Sequence, residues 1–370
     1  MNQLSKNRSW IDAMKGFTII AAISLVAGTA TSVQASVDFA DERIEWVVPF
    51  KEGGGSDTWA RFFAPLISEN LPGQPPVVVK NIPGGGSTKG ANYFDRRAEP
   101  TGLEILGTSG STQFPYLLGD RRVKYDYKNW TPVLASPTGG VFYVSPELGI
   151  KSAEDLVKLR GESIKYASQG ATSLDLVPLL ALEILDIDVH AIFGMKGRGA
   201  GRLAFERGEV NVDYQTTSAY LQKVLPLVEE GKAVPIMSWG VLDDNGDLKR
   251  DPTFPDLPHF AEVYEMIHGS KPEGTAFKVW KAFFVAGFAA QKGIFLPNNT
   301  DPEVIEAWAK AVEDTVASQD FKNKAKAVLG SYPQAVQAKA SKAFKVALDM
   351  DESDRAWVRD WLSTRYHVRF

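Results

Sequence analysis

The feature that most restricts how this chain can fold is a recurring junction in which a short apolar run ends in small, glycine- or hydroxyl-rich residues and passes directly into an amphipathic helix. The clearest case is Val47-Val48-Pro49-Phe50-Lys51-Glu52-Gly53-Gly54-Gly55-Ser56-Asp57, followed by Trp59, Phe62, Phe63, Leu66, Ile67 and Leu71 at helical spacing. Ser56 or Asp57 stands where a side chain caps the first turn. A second junction, Asn81-Ile82-Pro83-Gly84-Gly85-Gly86-Ser87-Thr88, follows Val77–Val79. A third, Thr108-Ser109-Gly110-Ser111-Thr112, follows Glu104–Gly107, and a fourth, Ser168-Gln169-Gly170-Ala171-Thr172-Ser173, follows Ile164–Ala167. Backbone N–H groups exposed in such turns, reinforced by the positive end of the following helix, favour an anion without needing an arginine. The second loop lacks the Gly-Lys-Ser/Thr ending of a nucleotide P-loop, because Ala91 follows Gly90.

Further strands are expected at Ile44–Phe50, Val141–Val144, Val189–Ile192, Val210–Val212 and Val234–Ser238, with helices starting near Asp57, Ser87, Ser152, Ser173, Gly199 and Ser218. The alternation implies an α/β fold with mostly parallel sheets, in which ligands bind beyond the C-terminal strand ends. Trp280–Phe288 reads as a buried strand or crossover. Ile305, Trp308 and Val312 form a helical stripe, and Ala343 to Trp361 reads as one closing helix that returns to the first domain.

Lys6, Arg8 and Lys15 precede an apolar run from Phe17 to Ala27 and a small-residue site ending at Ala35, the pattern of a secretory signal over residues 1–35. Its removal takes away three basic residues and Asp12, which moves the formal charge from −4 to −6. A mildly acidic chain without a basic block argues against nucleic acid as a partner. With no cysteine there is no disulfide, thiol nucleophile or thiolate metal site, and stability must come from a core that the 44% hydrophobic content can supply.

An exported serine hydrolase is disfavoured, since no Gly-x-Ser-x-Gly elbow is present. His190 reads as a strand residue, His259 as a helix start, His268 as a helix end and His367 as tail, and no two have metal-ligand spacing. The acidic run Asp243, Asp244, Asp247 and Asp251 lacks calcium-loop spacing and reads as a solvated loop.

The paired loops Val48-Pro49-Phe50…Gly53-Gly54-Gly55-Ser56-Asp57 and Val78-Val79-Lys80-Asn81-Ile82-Pro83-Gly84-Gly85-Gly86-Ser87 together resemble the substrate-binding proteins of tripartite tricarboxylate transporters, the TctC or Bug family. Tyr125-Asp126 before Trp130-Thr131-Pro132-Val133, Lys151-Ser152, Tyr166-Ala167-Ser168-Gln169-Gly170 and Lys196-Gly197 before Gly208-Glu209-Val210-Asn211 extend the resemblance from about Ile44 to Val241, and weakly beyond. The resemblance implies a type II-like periplasmic binding protein of two α/β lobes that close over a ligand at a hinge. Residues 36–140 plus 239–370 would form lobe 1, and residues 141–238 lobe 2.

By position, Phe50 would wall the pocket, Gly54, Gly55, Ser56 and Asp57 would form the first carboxylate loop, and Gly85, Gly86 and Ser87 would line the same lobe near Ser109 and Thr112. Ser168, Gly170, Thr172 and Ser173 would approach from the second lobe. Phe114, Thr138 and Tyr214 are expected at the distal end, where Arg198 could meet a second carboxylate. Met195, Asn211, the Gly197-Arg198-Gly199-Ala200-Gly201 run and the segment Val285–Pro297 depart from the family pattern. The resemblance implies a monomeric periplasmic receptor without cofactor or metal. It would take a small organic carboxylate, a di- or tricarboxylate or an aromatic acid, and deliver it to membrane transporter subunits. A ligand-sensing role for a two-component kinase would use the same site residues.

Overall fold

The computed structural model describes residues 37–243 and 245–370, so the expected signal segment lies outside the described residues. The first half of the chain runs β1 (Ile44–Val48), α1 (Gly55–Asn70), β2 (Val77–Asn81), α2 (Thr88–Arg97), β3 (Glu104–Ser109), α3 (Gly110–Leu117), β4 (Thr131–Ser136), β5 (Gly140–Val144), β6 (Ile164–Ala167), α4 (Leu176–Ile184), β7 (Val189–Ile192), α5 (Arg198–Glu206) and β8 (Val212–Thr216). The second half runs α6 (Thr217–Ala219), α7 (Leu225–Glu229), β9 (Val234–Ser238), β10 (Val241–Leu242), β11 (Leu248–Lys249), α8 (Phe260–His268), α9 (Gly274–Phe284), β12 (Lys292–Leu296), α10 (Pro302–Ala317), α11 (Gln319–Leu329), β13 (Ala335–Val336), α12 (Gln337–Ala347) and α13 (Glu352–Tyr366).

The strands make two sheets, ordered β13-β4-β12-β3-β1-β2 and β7-β6-β8-β5-β9, plus the small β10-β11 hairpin. Neither large sheet is mostly parallel as expected. In the first, β1 pairs in parallel with β2 and β3, but β12 runs antiparallel to both β3 and β4. In the second, β5 is antiparallel to β8 and β9 while β6 and β7 are parallel. β5 and β12, which run antiparallel to both neighbours, each enter their sheet from the other one and so lie outside the parallel direction that a strand–helix–strand crossover within one sheet imposes.

Every strand expected before residue 239 is present, although the one expected at Val210–Val212 lies at Val212–Thr216. β4 was hidden by Pro132, which removes a ladder donor. It is tolerated because the register shifts where Pro132 faces Phe295. Trp280–Phe288 is not a strand. Phe277, Trp280, Phe284 and Phe288 recur three or four residues apart and stack as a ladder along α9 and the π-turn that follows, with centroids 5.2–5.8 Å apart. The closing helix is two, broken at Leu348–Asp351, with Glu352 and Asp354 in the first turn of α13 where the dipole favours acids.

Each sheet has its own core. One face of the first sheet buries Trp46, Trp59, Phe63, Ile105, Ile294 and Trp308, with Trp46 and Trp59 packed edge to face at 5.2 Å. The other buries Val47, Phe94, Tyr127, Trp130 and Phe295. The second sheet packs Phe142, Tyr166 and Tyr214 against α4. Residues from α8, α9 and α13, among them Phe260, Trp280, Phe283, Val358 and Leu362, belong to this same core. The same cluster also takes in Phe114 and Leu117 of α3 and the following Leu118. α10 and α12 pack on the first sheet, whereas the aromatic face of α9 finds its apolar partner on α4.

Pro137-Thr138-Gly139 carries the chain from β4 of the first sheet to β5 of the second, and residues 239–291 carry it back to β12, with Thr138 N–H donating to Phe288 O at 3.1 Å. Beside them Tyr332 donates to the buried Asp251 carboxylate at 2.6 Å and shares a 2.9 Å hydrogen bond with Thr217, whose hydroxyl accepts from Gly139 N–H. A Cβ at Gly139 would overlap this network, which is why the crossing strand needs glycine there.

Candidate functional site

The four loops read from the sequence meet one another at the junction between the sheets. The first loop, between β1 and α1, lies against the start of α5. Lys51 N–H donates to Lys196 O at 2.9 Å, and a Cβ added at Gly199 would lie 3.1 Å from both Gly53 O and Gly54 N. Gly55 approaches Thr216 so closely that a Cβ there would overlap its hydroxyl. The second loop faces the fourth across Gly86, which lies near Gln169 O and Ser173. The third loop bonds the fourth directly, because Gln169 Nε2 and Leu174 N–H both donate to Ser111 Oγ at 3.1 Å. At the outer margin, Thr172 donates to Asp120 at 2.9 Å and accepts from Arg122 at 2.8 Å.

Within that meeting point the predicted residues take different parts. Phe50 is buried on the first core, next to Gly197. Gly54 is the N-cap of α1 and supplies no side chain, so neither Ser56 nor Asp57 fills that position. Asp57 instead reaches back to accept Gly53 N–H at 3.0 Å, and it is also held by Arg61 and Asn81 at 3.0 Å each. It braces the loop, its two oxygens engaged by groups of the chain itself. Ser56 is half-buried, Gly86 half-buried and Gly85 exposed, while Ser87 is buried and donates to Ser111 O at 2.9 Å. Ser109 and Thr112 form the capping box of α3.

Phe114 is fully buried edge-on to Phe283 at 4.9 Å and touches Gly287 and Leu174 through its apolar surroundings. Thr138 lines a cavity of about 340 Å³ at the crossing strands with Phe284, Phe288 and Tyr332, and its hydroxyl has no partner among the described residues. Gly170 has φ +155 and open space where a Cβ would sit, so backbone conformation and not crowding requires glycine there.

The largest correction concerns Arg198. It is neither solvated nor free for a ligand. Its guanidinium lies between the Tyr166 and Tyr214 rings at 5.0 and 4.7 Å, donates to Ala167 O at 2.7 Å and Tyr214 O at 3.1 Å, and pairs with Asp175 at 3.3 Å and with Asp213. Burial opposes its charge, but the Asp175 carboxylate outweighs that and keeps its pKa above the ordinary arginine value. Burial likewise raises Tyr166 and Tyr214 well above the ordinary phenol range, so both rings stay neutral.

Asp175 and Asp213 escaped sequence reasoning, as no motif marks them. Asp175 also organises the fourth loop, accepting from Ser168 Oγ at 2.9 Å and Gln169 N–H at 2.6 Å, while Ser173 donates to Gly170 O at 2.7 Å. The fourth loop therefore already holds an anion, one belonging to the chain itself. Uncommitted donors remain at the first turn of α1, whose N-cap makes no side-chain hydrogen bond, as they do at the first turns of α2 and α5.

Lys292 was also missed. It is 1% exposed and begins β12, directly across from Ser109 and Ser136. The available signal was a single cation inside the apolar run Gly287–Leu296.

The histidines lie outside this junction. His259 caps α8, accepting from Glu262 N–H, while His190 is exposed on the edge strand β7, His268 follows in the last turn of α8, and His367 caps α13. Asp243 accepts the Asn245 and Asp247 N–H groups at 2.9 Å to close a turn, and no metal-holding cluster of His or acidic side chains occurs among the described residues.

No family model matches the chain. Among curated proteins it is 24% identical over 314 residues, 82% of each chain, to a UPF0065 protein from the tcbD–tcbE intergenic region of Pseudomonas sp. (strain P51). It is 23% identical over 316 residues to BugT of Bordetella pertussis, covering 81% of this chain and 84% of that protein. Among solved structures, the periplasmic binding protein BugD superposes with a TM-score of 0.66 at 20% identity, over 88% of this chain and 98% of BugD. MatC from Rhodopseudomonas palustris, solved with malate, gives 0.63 at 19% identity over 86% and 98% of the two chains. A second R. palustris protein, solved with adipate, gives 0.66 at 19% identity over 88% and 98%. The chain thus shares the fold of these periplasmic binding proteins and is similar in sequence, along four-fifths of its length, to proteins of the Bug type.

Proposed function

We propose that this protein is a periplasmic solute receptor that captures a small organic carboxylate between two lobes and hands it to the membrane subunits of a tripartite transporter. The observation that carries the reading is the convergence of four strand-to-helix loops, two lobes facing each other glycine to glycine, around the uncapped first turn of α1. N–H groups at such a turn stabilise a carboxylate by hydrogen bonding and by the helix dipole. Closure is favoured because a ligand held from both sides makes contacts the open form lacks.

The malate and adipate bound by the two R. palustris neighbours support dicarboxylates as the first class to test. In this reading residues 137–139 and 289–291 are the hinge, residues 1–35 are an export signal, and Gly54, Gly55, Ser56, Ser109 and Thr216 surround the proximal carboxylate. The protein releases its ligand unaltered and needs no cofactor. Asp175 fills the anion position of the fourth loop, so the second lobe contributes shape and closure while the first lobe contributes charge recognition.

A thermal-shift panel of mono-, di- and tricarboxylates and aromatic acids on the chain from Ser36 tests this, since a ligand that binds the native state raises its melting temperature. A rise confined to one acid class supports the receptor and names its substrates. A folded sample that responds to none of them refutes it.

A further inference from the structure

Lys292 is a full-length cationic side chain sealed inside the first lobe with no counter-charge. It is 1% exposed, no carboxylate lies within 4.0 Å of it among the described residues, and its only side-chain partner is the neutral Gln291 amide at 2.6 Å. An ammonium has three donors and is costly to bury without an opposite charge. Its position along the strand explains what could supply that charge.

Directly opposed residues on antiparallel strands share a face, so Lys292 stands between Ser109 and Ser136 on one side of the sheet. Two residues along, Ile294 lies opposite Gly107, against which Trp59 of α1 packs, so this is the face that α1 covers. β12 is antiparallel to β3, which places its first residue at the C-terminal end of β3, the end from which α3 departs. That is also the end of β1 at which the first glycine loop begins. The acid in the first turn of α1, Asp57, is already committed to Gly53, Arg61 and Asn81.

We propose that Lys292 is the specificity-determining cation of the ligand site, a buried ammonium flanked by Ser109 and Ser136 whose missing counter-charge is a carboxylate of the bound acid. This rests on the receptor reading and adds to it. The site then reads charge from the first lobe alone, with the Arg198 ion cluster of the second lobe internally neutralised. It also follows that a ligand-free lobe holds a lysine whose charge is disfavoured, with burial lowering its pKa to about 7, and that a bound carboxylate reverses this.

The test is calorimetric titration with malate and with adipate, and with whichever acid of the panel gives the largest thermal shift, on the wild type, Lys292→Met and Lys292→Gln. The neutral variants are expected to melt at or above the wild-type temperature without ligand and to bind the acid about tenfold or more weakly. Wild-type binding is expected to take up a proton at mildly alkaline pH, seen as a dependence of the observed heat on the buffer's ionisation heat, and that uptake should vanish in both variants. Wild-type binding without proton uptake, or equal affinity in either folded variant, overturns the role of Lys292 and leaves the receptor standing. A wild type that binds no acid overturns both.

Discussion

Gly199 is the position where a single side chain separates binding from folding. It sits in the first turn of α5 at an ordinary negative φ, so a leucine there meets no backbone strain and gains helix propensity of about 0.8 kcal/mol over glycine. Its Cβ, however, would stand 3.1 Å from Gly53 O and Gly54 N on the opposing lobe, and the remaining methyl groups have no room beyond it. These neighbours are backbone atoms, which cannot rotate away. Overpacking of this kind costs roughly 1–3 kcal/mol, and here the cost falls only on the closed form. Ligand affinity in Gly199→Leu should therefore fall by about 5- to 150-fold, the same energy at 1.4 kcal/mol per decade. The ligand-free melting temperature should hold or rise. Titration calorimetry reads the first quantity and differential scanning calorimetry the second, while small-angle scattering with ligand should show a more extended particle than wild type. Unchanged affinity with normal compaction would refute the argument that Gly53-Gly54 and Gly199 must touch when ligand is bound.

Three other outcomes are expected. Arg198→Met strands Asp175 and Asp213, both fully buried, and should cost about 3–5 kcal/mol in urea unfolding; restoration of most of that by adding Asp213→Asn would confirm the ion cluster, and a loss below 1 kcal/mol would contradict it. The Lys292 ammonium, lowered from 10.5 to about 7 in the folded chain, makes the unfolded state bind more protons between those pH values, so ligand-free stability should rise with pH across that window by up to about 5 kcal/mol. Lys292→Met should lose the rise and show its greatest advantage over wild type at pH 7 and below, and parallel pH–stability curves for the two proteins would exclude the buried charge. Thr172→Val removes the hydroxyl that joins Asp120 and Arg122 across the lobes, which should weaken ligand binding by about 1 kcal/mol, roughly fivefold; an affinity equal to wild type would mean that this link is not part of the bound form.

Much of the site was legible because its chemistry is carried by backbone. Glycines and hydroxyl residues at strand-to-helix turns announce themselves in sequence, and all four such loops do meet. What those loops hold was not legible. Asp57 reads as a cap or a ligand contact, yet its two oxygens are taken up by Gly53, Arg61 and Asn81, the last of them 24 residues away. Arg198 reads as a contact for a second ligand carboxylate, and only the approach of Asp175, Tyr166, Asp213 and Tyr214 from three other elements makes it an interior, paired cation. Lys292 is the converse, a cation inside an apolar run whose lack of a counter-charge among the described residues appears only when β3 and β4 are placed beside it.

By itself the sequence determined the local grammar of the first 240 residues: most of the strands, several helix starts, and the loops of small residues at strand ends. Those follow from periodicity, capping and glycine's conformational freedom, which act over a few residues. Tertiary structure decided strand direction, the antiparallel entry of β12, the attachment of α8, α9 and α13 to the second core, and the pairing of every buried charge. Each of these depends on contacts between residues far apart in the chain, where burial sets the cost of an unpaired group and only the assembled fold shows whether a partner is there.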